Sequence, residues 1–513
     1  MSGYAYYEYL NIEGEKLFTM IALPDRCGRF PVIICRSPYV GSAVDKAEDE
    51  LTQSLLDSYA AHLERGYAVV YQHCKGCGKS SGGFVPYIHE REDGLALRRW
   101  IRSQSFYNGE LYLMGGSYTS SLHYATAPFE NDIRGAVFEV QDSERYNLWY
   151  RNGQMRKGHA NWHFGLYRSA EPREKQFSMR SFARLPLEGL SETALGERAE
   201  DFEQMLGARF KSDGFWNTRY GGADARDAVT CANIPILLTT GYNDYYTGGV
   251  FRMWDKMDAR TKAQSALLVS PYNHGDCYDA QNGLPFPCGK RGERFGRYGL
   301  DWLDHIRKGT PINHEKGVIT YYRTFENVWD SDFYKNPTEP LKIELGCGTV
   351  SFEYDPKSPT AFAPEGCFAN ELNAENSYIR VFTKPLDRDI FVKGRIGASL
   401  HISSSCADTS FYIRISIKKP DYTYVLRHDI TSLSYQLGKY RENSMVKLDF
   451  LFDDHAFLLK AGECLQLDIA STDDHTYVSH TNNAGDYYKQ SDSKTAINTV
   501  CLDKSYLILP AEI

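Results

Sequence analysis

The sequence predicts an α/β domain with a mostly parallel sheet and a helical insertion, followed by an all-β domain. Three observations support this fold class. Short apolar runs alternate with helix-period segments in the first half of the 513 residues. The stretch 142–225 carries no strong strand run. From residue 342 onward, apolar and polar residues alternate with a period of two.

The predicted strands of the first domain are short, rich in β-branched residues and bounded by Gly, Pro or polar residues. They span residues 30–35, 67–71, 111–114, 135–140, 234–238 and 266–269. Between the second and third runs, residues 90–104 place their apolar side chains on one stripe, which predicts an amphipathic helix. Alternation of strands and helices implies right-handed crossovers and a parallel sheet.

The insertion is predicted to be helical. After Ser191, a plausible helix cap, apolar residues recur at helical spacing. We expect a lid or substrate cap, and the alternative is a helical bulge with no functional role. In the last third, alternation across residues 411–417 and 465–469 predicts an antiparallel sandwich with one solvent-facing side. The predicted boundaries are therefore 1–141, 142–225, 226–341 and 342–513.

Composition excludes several classes of protein. Lys+Arg total 58 against 66 Asp+Glu, and no basic block stands out, so we expect no nucleic-acid partner. No apolar run approaches the roughly 20 residues of a membrane span. The first ten residues lack the features of a signal peptide, and the 12 Cys are expected to be free thiols in a reducing cytoplasm.

No cofactor or metal is expected. Cys74 and Cys77 form a CxxC pair, but a structural zinc site needs four ligands and the chain has no second pair. Gly78-Lys79-Ser80 resembles the end of a phosphate-binding loop, but the required earlier glycine is replaced by His73.

Residues 110–127 carry the most informative pattern. A short apolar strand runs into Gly115-Gly116-Ser117-Tyr118, followed by a segment able to be helical. A nucleophile elbow needs this arrangement, because its serine occupies a tight, strained turn with small neighbours. Thr119 stands where the usual pattern has Gly. The alternative is that Ser117 only caps a helix.

A serine hydroxyl needs a base, and the base needs an orienting carboxylate. In α/β-hydrolases these follow in the order Ser, Asp or Glu, His. Asp244 and His274 each follow a strand-like run, and active sites of parallel sheets collect at the carboxyl ends of strands. We therefore predict a triad of Ser117, Asp244 and His274, with Asp276 as a rival for the acid.

The chain resembles the CocE/NonD hydrolases, which group cocaine esterases, α-amino-acid ester hydrolases, glutaryl acylases and X-Pro dipeptidyl-peptidases. The resemblance covers most of the chain. It is carried by residues 36–39 (RSPY), 72–84 (QHCKGCGKSSGGF), 92–94 (EDG), 115–118 (GGSY), 241–244 (GYND), 271–274 (PYNH), 302–303 (WL), 408–411 (DTSF) and 455–457 (HAF).

This resemblance implies an α/β-hydrolase domain with a helical cap and a C-terminal jelly-roll. It implies that the Tyr39 phenol and the Tyr118 backbone N–H form an oxyanion hole, and that Trp149 and Tyr246 bind substrate. Departures from the family pattern concern the elbow, where Ser120 replaces Gly, and the glycine-rich loop, where His73 replaces Asp and Lys75 replaces Arg.

The expected function is a serine hydrolase that cleaves a small-molecule ester or amide through an acyl-enzyme, with substrate entering between insertion and β domain. One alternative is an X-Pro dipeptidyl-peptidase acting on short peptides, with Glu139, Asp142 or Glu144 holding the ammonium. The other, suggested by Thr119 and Ser120, is a non-catalytic binding protein on a degenerate scaffold. A homo-oligomer is left open.

Overall fold

A computed structural model describes residues 3–166, 179–218, 228–278, 281, 283–334, 340–370 and 376–512. Two parts of the predicted insertion, residues 167–178 and 219–225, lie outside the described residues. Within the described ranges, no helix is both long and apolar enough to cross a membrane.

The first domain is built on a ten-stranded sheet. Its strand order is β1-β2-β4-β3-β5-β6-β9-β10-β11-β12. The strands from β4 to β11 run parallel, and antiparallel strands close both edges. The strands are β1 (Tyr4–Ile12), β2 (Glu15–Leu23), β3 (Phe30–Ser37), β4 (Ala68–His73), β5 (Tyr107–Gly116), β6 (Ile133–Glu139), β9 (Ile236–Gly241), β10 (Ala266–Ser270), β11 (Ile319–Arg323) and β12 (Val328–Asp332).

Helices cover both faces of this sheet. Val32 and Ile34 pack into one hydrophobic cluster, whereas Ile33 between them packs into another on the opposite face. A strand that is buried on both faces has a continuous apolar sequence, so these strands could be predicted from the sequence. The helices are Glu48–Ser58, Ala60–Glu64, Glu90–Arg102, Tyr118–Tyr124, Thr247–Lys256, Ala259–Gln264, Arg291–Phe295 and Tyr298–Lys308.

The insertion between β6 and β9 is mainly helical in its described part. It also holds a short hairpin, β7 (Tyr150–Arg151) with β8 (Gln154–Met155). The predicted cap Ser191 lies inside a helix, and the N-cap residue of that helix is Gly189. The Ser191 hydroxyl accepts the Ala199 N–H at 3.1 Å. The helices are Tyr146–Trp149, Lys157–Leu166, Leu190–Leu195, Glu200–Gly207 and Gly214–Thr218.

The C-terminal domain consists of antiparallel sheets. The strand orders of its three sheets are β13-β23-β17-β20, with β14 beside β23, then β15-β22-β18-β19, and β21-β16-β24. Its strands are β13 (Leu341–Glu344), β14 (Thr349–Tyr354), β15 (Ile379–Phe382), β16 (Ile390–Gly394), β17 (Gly397–Ser404), β18 (Ser410–Lys418), β19 (Thr423–Ser432), β20 (Val446–Leu451), β21 (His455–Leu459), β22 (Cys464–Ala470), β23 (Ala496–Leu509) and β24 (Ala511–Glu512), with one helix, Leu433–Leu437.

One expectation about this domain is wrong for its central strand. β18 was expected to show one face to solvent, but its residues up to Ile417 are buried on both faces. The charged position is satisfied internally, because Arg414 donates to Asp468 at 2.6 Å and both side chains are fully buried, whereas the Ser416 hydroxyl is buried with no hydrogen-bond partner among the described residues. A buried ion pair of this kind takes the place of a solvated face.

Candidate active site

Ser117 occupies the turn between β5 and the helix Tyr118–Tyr124. Its backbone lies at φ 53° and ψ −131°, in the left-handed region that non-glycine residues rarely adopt. The turn is tight, because a Cβ on Gly115 would lie 2.6 Å from the Thr119 carbonyl carbon. A side chain at position 115 would clash with this turn, so Gly115 is required there.

The two residues that depart from the elbow pattern stabilise the turn. The Thr119 hydroxyl accepts the Gly116 N–H at 2.7 Å. The Ser120 hydroxyl donates to the Gly115 carbonyl at 2.6 Å and accepts the Glu139 N–H at 3.2 Å. Both side chains thus satisfy backbone groups of the turn instead of crowding it.

Asp244 and His274 meet beyond the carboxyl ends of two neighbouring strands, β9 and β10. The imidazole Nδ1 lies 3.0 Å from Asp244 Oδ2, and the carboxylate is buried. The Tyr246 N–H donates to the other carboxylate oxygen at 2.9 Å. Asp276, the rival acid, instead accepts the Arg291 N–H at 2.8 Å.

The protein environment favours the protonated form of the His274 imidazole more than water does. Burial by itself lowers the pKa of His274, but the adjacent Asp244 carboxylate and its hydrogen bond outweigh burial, so that the pKa is raised. Asp244 holds Nδ1, and this leaves Nε2 for a substrate-side role.

A cavity of about 550 Å³ brings together five of the seven predicted site residues, and Tyr118 and Trp149 are not among its lining residues. Ser117, Asp244, His274, Tyr39 and Tyr246 all line it. The Tyr39 side chain is 49% exposed, in keeping with a place on an open wall. Burial of its hydroxyl raises the pKa of Tyr39 to about 12 against the opposing hydrogen bond with Ser117, so the phenol keeps its proton at neutral pH.

Tyr118 anchors the elbow to a buried charged network. Its hydroxyl donates to Glu90 at 2.6 Å, and Arg36 lies 3.2 Å from the same carboxylate. Arg36 also lies 3.6 Å from Asp93, which Lys75 approaches at 3.3 Å. Lys75, a departure from the family pattern, therefore still supplies a cation to this network.

His73, the other departure in the glycine-rich loop, is a structural residue. Burial, with Lys79 nearby, lowers the pKa of His73 to about 4, so the ring is neutral at physiological pH. Its Nδ1 accepts the Lys79 N–H at 3.3 Å, which holds the loop.

The two predicted substrate-binding aromatics differ in position. Tyr246 lines the cavity, and its ring lies 5.2 Å from that of His274. Trp149 does not line the cavity, because its short helix directs the ring into the core of the insertion, where it is fully buried. It packs 4.6 Å from the His159 ring and so supports the wall from behind.

Further residues that the sequence analysis did not assign also line the wall. Arg156, His159 and Trp162 recur every three residues and all line the cavity, a one-sided spacing that could have indicated a functional helix face. The C-terminal domain contributes seven further lining residues with no local signal: Pro364, Glu365, His428, Asp453, His475, Thr476 and Tyr477.

The three carboxylates considered for an ammonium site lie outside this wall. Glu139 accepts the Tyr298 hydroxyl at 2.7 Å. Asp142 pairs with Arg252 at 2.6 Å, and Glu144 pairs with Lys211 at 3.0 Å. None of the three is a lining residue of the cavity as the described residues define it.

A sequence model of the X-Pro dipeptidyl-peptidase (S15) family matches residues 13–276, just over half of the chain. The chain belongs to the S15 family. Residues 320–507 match the X-Pro dipeptidyl-peptidase C-terminal non-catalytic domain. This S15-family chain is thus a serine hydrolase with an N-terminal hydrolase domain and a C-terminal domain of sheets.

Individual relatives of this S15-family chain agree with the assignment. A cocaine esterase from Rhodococcus sp. (strain MB1 Bresler) is 22% identical over 588 aligned residues, which cover 97% of this chain and 96% of the esterase. An α-amino acid ester hydrolase structure has a TM-score of 0.82 at 18% identity, covering all of this chain and 97% of its own. An aminopeptidase from the marine sediment archaeon Thaumarchaeota archaeon has a TM-score of 0.82 at 17% identity with the same coverage.

Proposed function

We propose that this chain hydrolyses small-molecule esters or amides through an acyl-enzyme formed on Ser117. The observation that carries the proposal is the 3.0 Å contact between His274 Nδ1 and Asp244, at the cavity that Ser117 also lines. A strained turn presents the serine, and a base with its orienting carboxylate faces the same space.

In the proposed reaction, His274 Nε2 takes the proton of the Ser117 hydroxyl as the oxygen attacks the substrate carbonyl. Asp244 stabilises the imidazolium that forms and keeps the ring in the tautomer that leaves Nε2 free to accept. The imidazolium then protonates the leaving oxygen or nitrogen. Water activated by the same imidazole hydrolyses the acyl-enzyme.

The oxyanion is proposed to bind the Tyr39 hydroxyl and the Tyr118 N–H. The first N–H groups of a helix have no partner within the helix, so that of Tyr118 is available for the developing charge. The raised pKa of Tyr39 supports the second donor, because a phenol that keeps its proton can donate a hydrogen bond.

The finer fold assignment is part of this proposal. The run of parallel strands between antiparallel edges supports an α/β-hydrolase domain, formed by residues 1–141 and 226–341 around a helical cap at 142–225. The antiparallel sheets of the C-terminal domain support a jelly-roll for residues 342–513. All 12 cysteines are free thiols, which supports a reducing compartment such as the cytoplasm.

An esterase or acylase is favoured over a dipeptidyl-peptidase. A dipeptidyl-peptidase needs an uncompensated carboxylate to hold the substrate ammonium. Of the carboxylates that the structure places on the cavity wall, Glu365 pairs with Arg427 at 2.7 Å and Asp453 with Arg151 at 3.0 Å. Both carboxylates are therefore already neutralised.

Replacement of the nucleophile tests the proposal. Ser117→Ala is expected to lose at least about 10³-fold in turnover of a p-nitrophenyl acyl ester while its circular dichroism is unchanged. A fluorophosphonate should form an adduct on Ser117 in the parent and none in the variant. Ser54→Ala, on an exposed helix position, is the matched control and should keep both properties.

Two results would contradict the proposal. One is turnover retained by Ser117→Ala. The other is a parent protein that forms no adduct, which would favour the non-catalytic binding protein.

A further inference from the structure

Charge on the cavity wall is compensated at every carboxylate but not at every cation. Glu365 is held by Arg427, and the two side chains are 14% and 2% exposed. Arg427 and the adjacent His428 outweigh burial and lower the pKa of Glu365 to about 2, so it stays an anion within its own pair. Asp453 is likewise occupied by Arg151.

Arg156 is the exception on this wall. In the described part of the chain, no carboxylate lies within the 4.0 Å of an ion pair from its guanidinium. Its Nη1 donates a long hydrogen bond to the Tyr245 carbonyl, at 3.4 Å. Its Nε is shielded from water and has no acceptor. A permanently charged, partly buried guanidinium with an unused donor favours an anion beside it.

We propose that Arg156 binds a carboxylate of the substrate, so that the preferred substrates are anionic esters or amides. This inference depends on the proposed hydrolase function. Guanidinium and carboxylate match as a bidentate pair, which gives orientation as well as affinity. Tyr245, whose carbonyl holds Arg156, packs its ring 5.7 Å from that of His274, so the cation lies on the imidazole side of the cavity.

The neighbouring wall residue His159 adds no second positive charge beside Arg156. His159 lies one helical turn from Arg156, and burial together with neighbouring cations lowers the pKa of His159 well below its usual range. His159 is therefore neutral and does not compete for the anion. Among the described residues of the wall, a substrate ammonium would find only paired carboxylates and an unpaired cation, which disfavours positively charged substrates.

Two matched substrate pairs test the inference and distinguish the two ends of the substrate. The first pair is the 4-nitrophenyl monoester of adipic acid and its carboxamide isostere, with the charge on the acyl side. The second is 4-carboxyphenyl butyrate and 4-carbamoylphenyl butyrate, with the charge on the leaving group. In at least one of the two pairs, kcat/KM should be at least about tenfold higher for the carboxylate substrate than for its uncharged amide.

Variants assign the preference to one side chain. In Arg156→Gln the ratio should fall to about one, whereas Arg156→Lys should retain part of it because the charge remains. Arg198→Gln, which removes an exposed arginine from the insertion, should leave the ratio unchanged. Raising the salt concentration should reduce the parent ratio. Ratios near one in both pairs, or a ratio that survives Arg156→Gln, would overturn the inference.

Binding without turnover separates this inference from the proposed function. Calorimetry of adipate with Ser117→Ala should show at least about tenfold tighter binding than with Ser117→Ala combined with Arg156→Gln. If Ser117 forms no fluorophosphonate adduct, the hydrolase proposal fails, and this comparison still decides whether Arg156 binds a carboxylate. Equal adipate affinity in the two variants refutes it.

Discussion

At the scale of single residues, the buried Asp244 carboxylate controls the chemistry proposed for His274. It fixes one ring nitrogen by the 3.0 Å contact and raises the pKa of the imidazole against the effect of burial. Its position could be inferred from the sequence, because strands β9 and β10 are adjacent and end at one edge of the sheet.

We expect the acid limb of the pH–kcat/KM profile to report His274. Only the neutral imidazole can accept the serine proton, so activity should rise with pH through a pKa above the usual 6.5. Asp244→Asn removes the anion that favours imidazolium. The limb should therefore move to lower pH, while the plateau falls on the order of 10⁴-fold.

The rival carboxylate is the control for this titration. Asp276→Asn should keep the limb near its parent position, because Asp276 contacts Arg291 rather than the imidazole. An acid limb that moves in Asp276→Asn and stays in Asp244→Asn would reverse the assignment of the two residues.

Other residues of the site could not be placed from the sequence. Trp149 and Trp162 both fall in the insertion, and the direction of a side chain on a four-residue helix depends on packing rather than on periodicity. Trp162 lines the cavity, whereas Trp149 is buried behind it. The spacing of Arg156 with His159 and Trp162 could have indicated a functional face, but that its guanidinium has no carboxylate partner in the described part of the chain is known only from the structure.

At the scale of elements, the turn from β5 into its helix shows that an unusual sequence can keep a standard geometry. Ser120, where the family has Gly, hydrogen-bonds to β5 at Gly115 and to β6 at Glu139. The motif could be recognised from its small residues, but these compensating bonds require the neighbouring strand to be known.

We expect Ser120→Ala to destabilise the chain by about 1–3 kcal/mol, because a partly buried carbonyl and a partly buried N–H each lose a partner. Chemical unfolding followed by circular dichroism measures this loss. Ser54→Ala removes a hydroxyl from an exposed helix position and should change stability little. Equal unfolding midpoints for Ser120→Ala and the parent would show that the hydroxyl does not hold the turn.

The sequence analysis missed several elements for different reasons. β1 lies at the edge of the sheet with partly exposed residues, so its sequence lacks the continuous apolar pattern of the central strands. β2 beside it is buried from Leu17 to Leu23, and its apolar run could have been recognised. The long helical pattern after Ser191 is divided into two helices at Gly196, whose φ of 77° ends the first one.

At the scale of the whole molecule, the insertion and the C-terminal domain are joined by Arg151. Its guanidinium contacts Asp429 at 2.7 Å and Asp453 at 3.0 Å, and it donates to the Leu451 carbonyl at 2.9 Å. Asp429 is buried, so this contact compensates a charge that has little access to water.

We expect Arg151→Met to destabilise the folded chain by about 3–5 kcal/mol, because it leaves the buried Asp429 charge without its partner. Thermal unfolding at neutral pH measures the loss. Arg198→Gln is the matched control: its partners Glu192 and Glu200 are exposed, so its removal should change the unfolding temperature little. Similar unfolding temperatures for the two variants would contradict the structural role of Arg151.

The division of the cavity wall has a consequence for synthesis of the chain. Seven of its 20 lining residues follow residue 360, and the last of them is Tyr477. When Ser117, Asp244 and His274 have been synthesised, the seven wall residues of the C-terminal domain have not, so the cavity lacks that part of its wall. The nascent chain therefore has its full cavity wall only after Tyr477 has been synthesised.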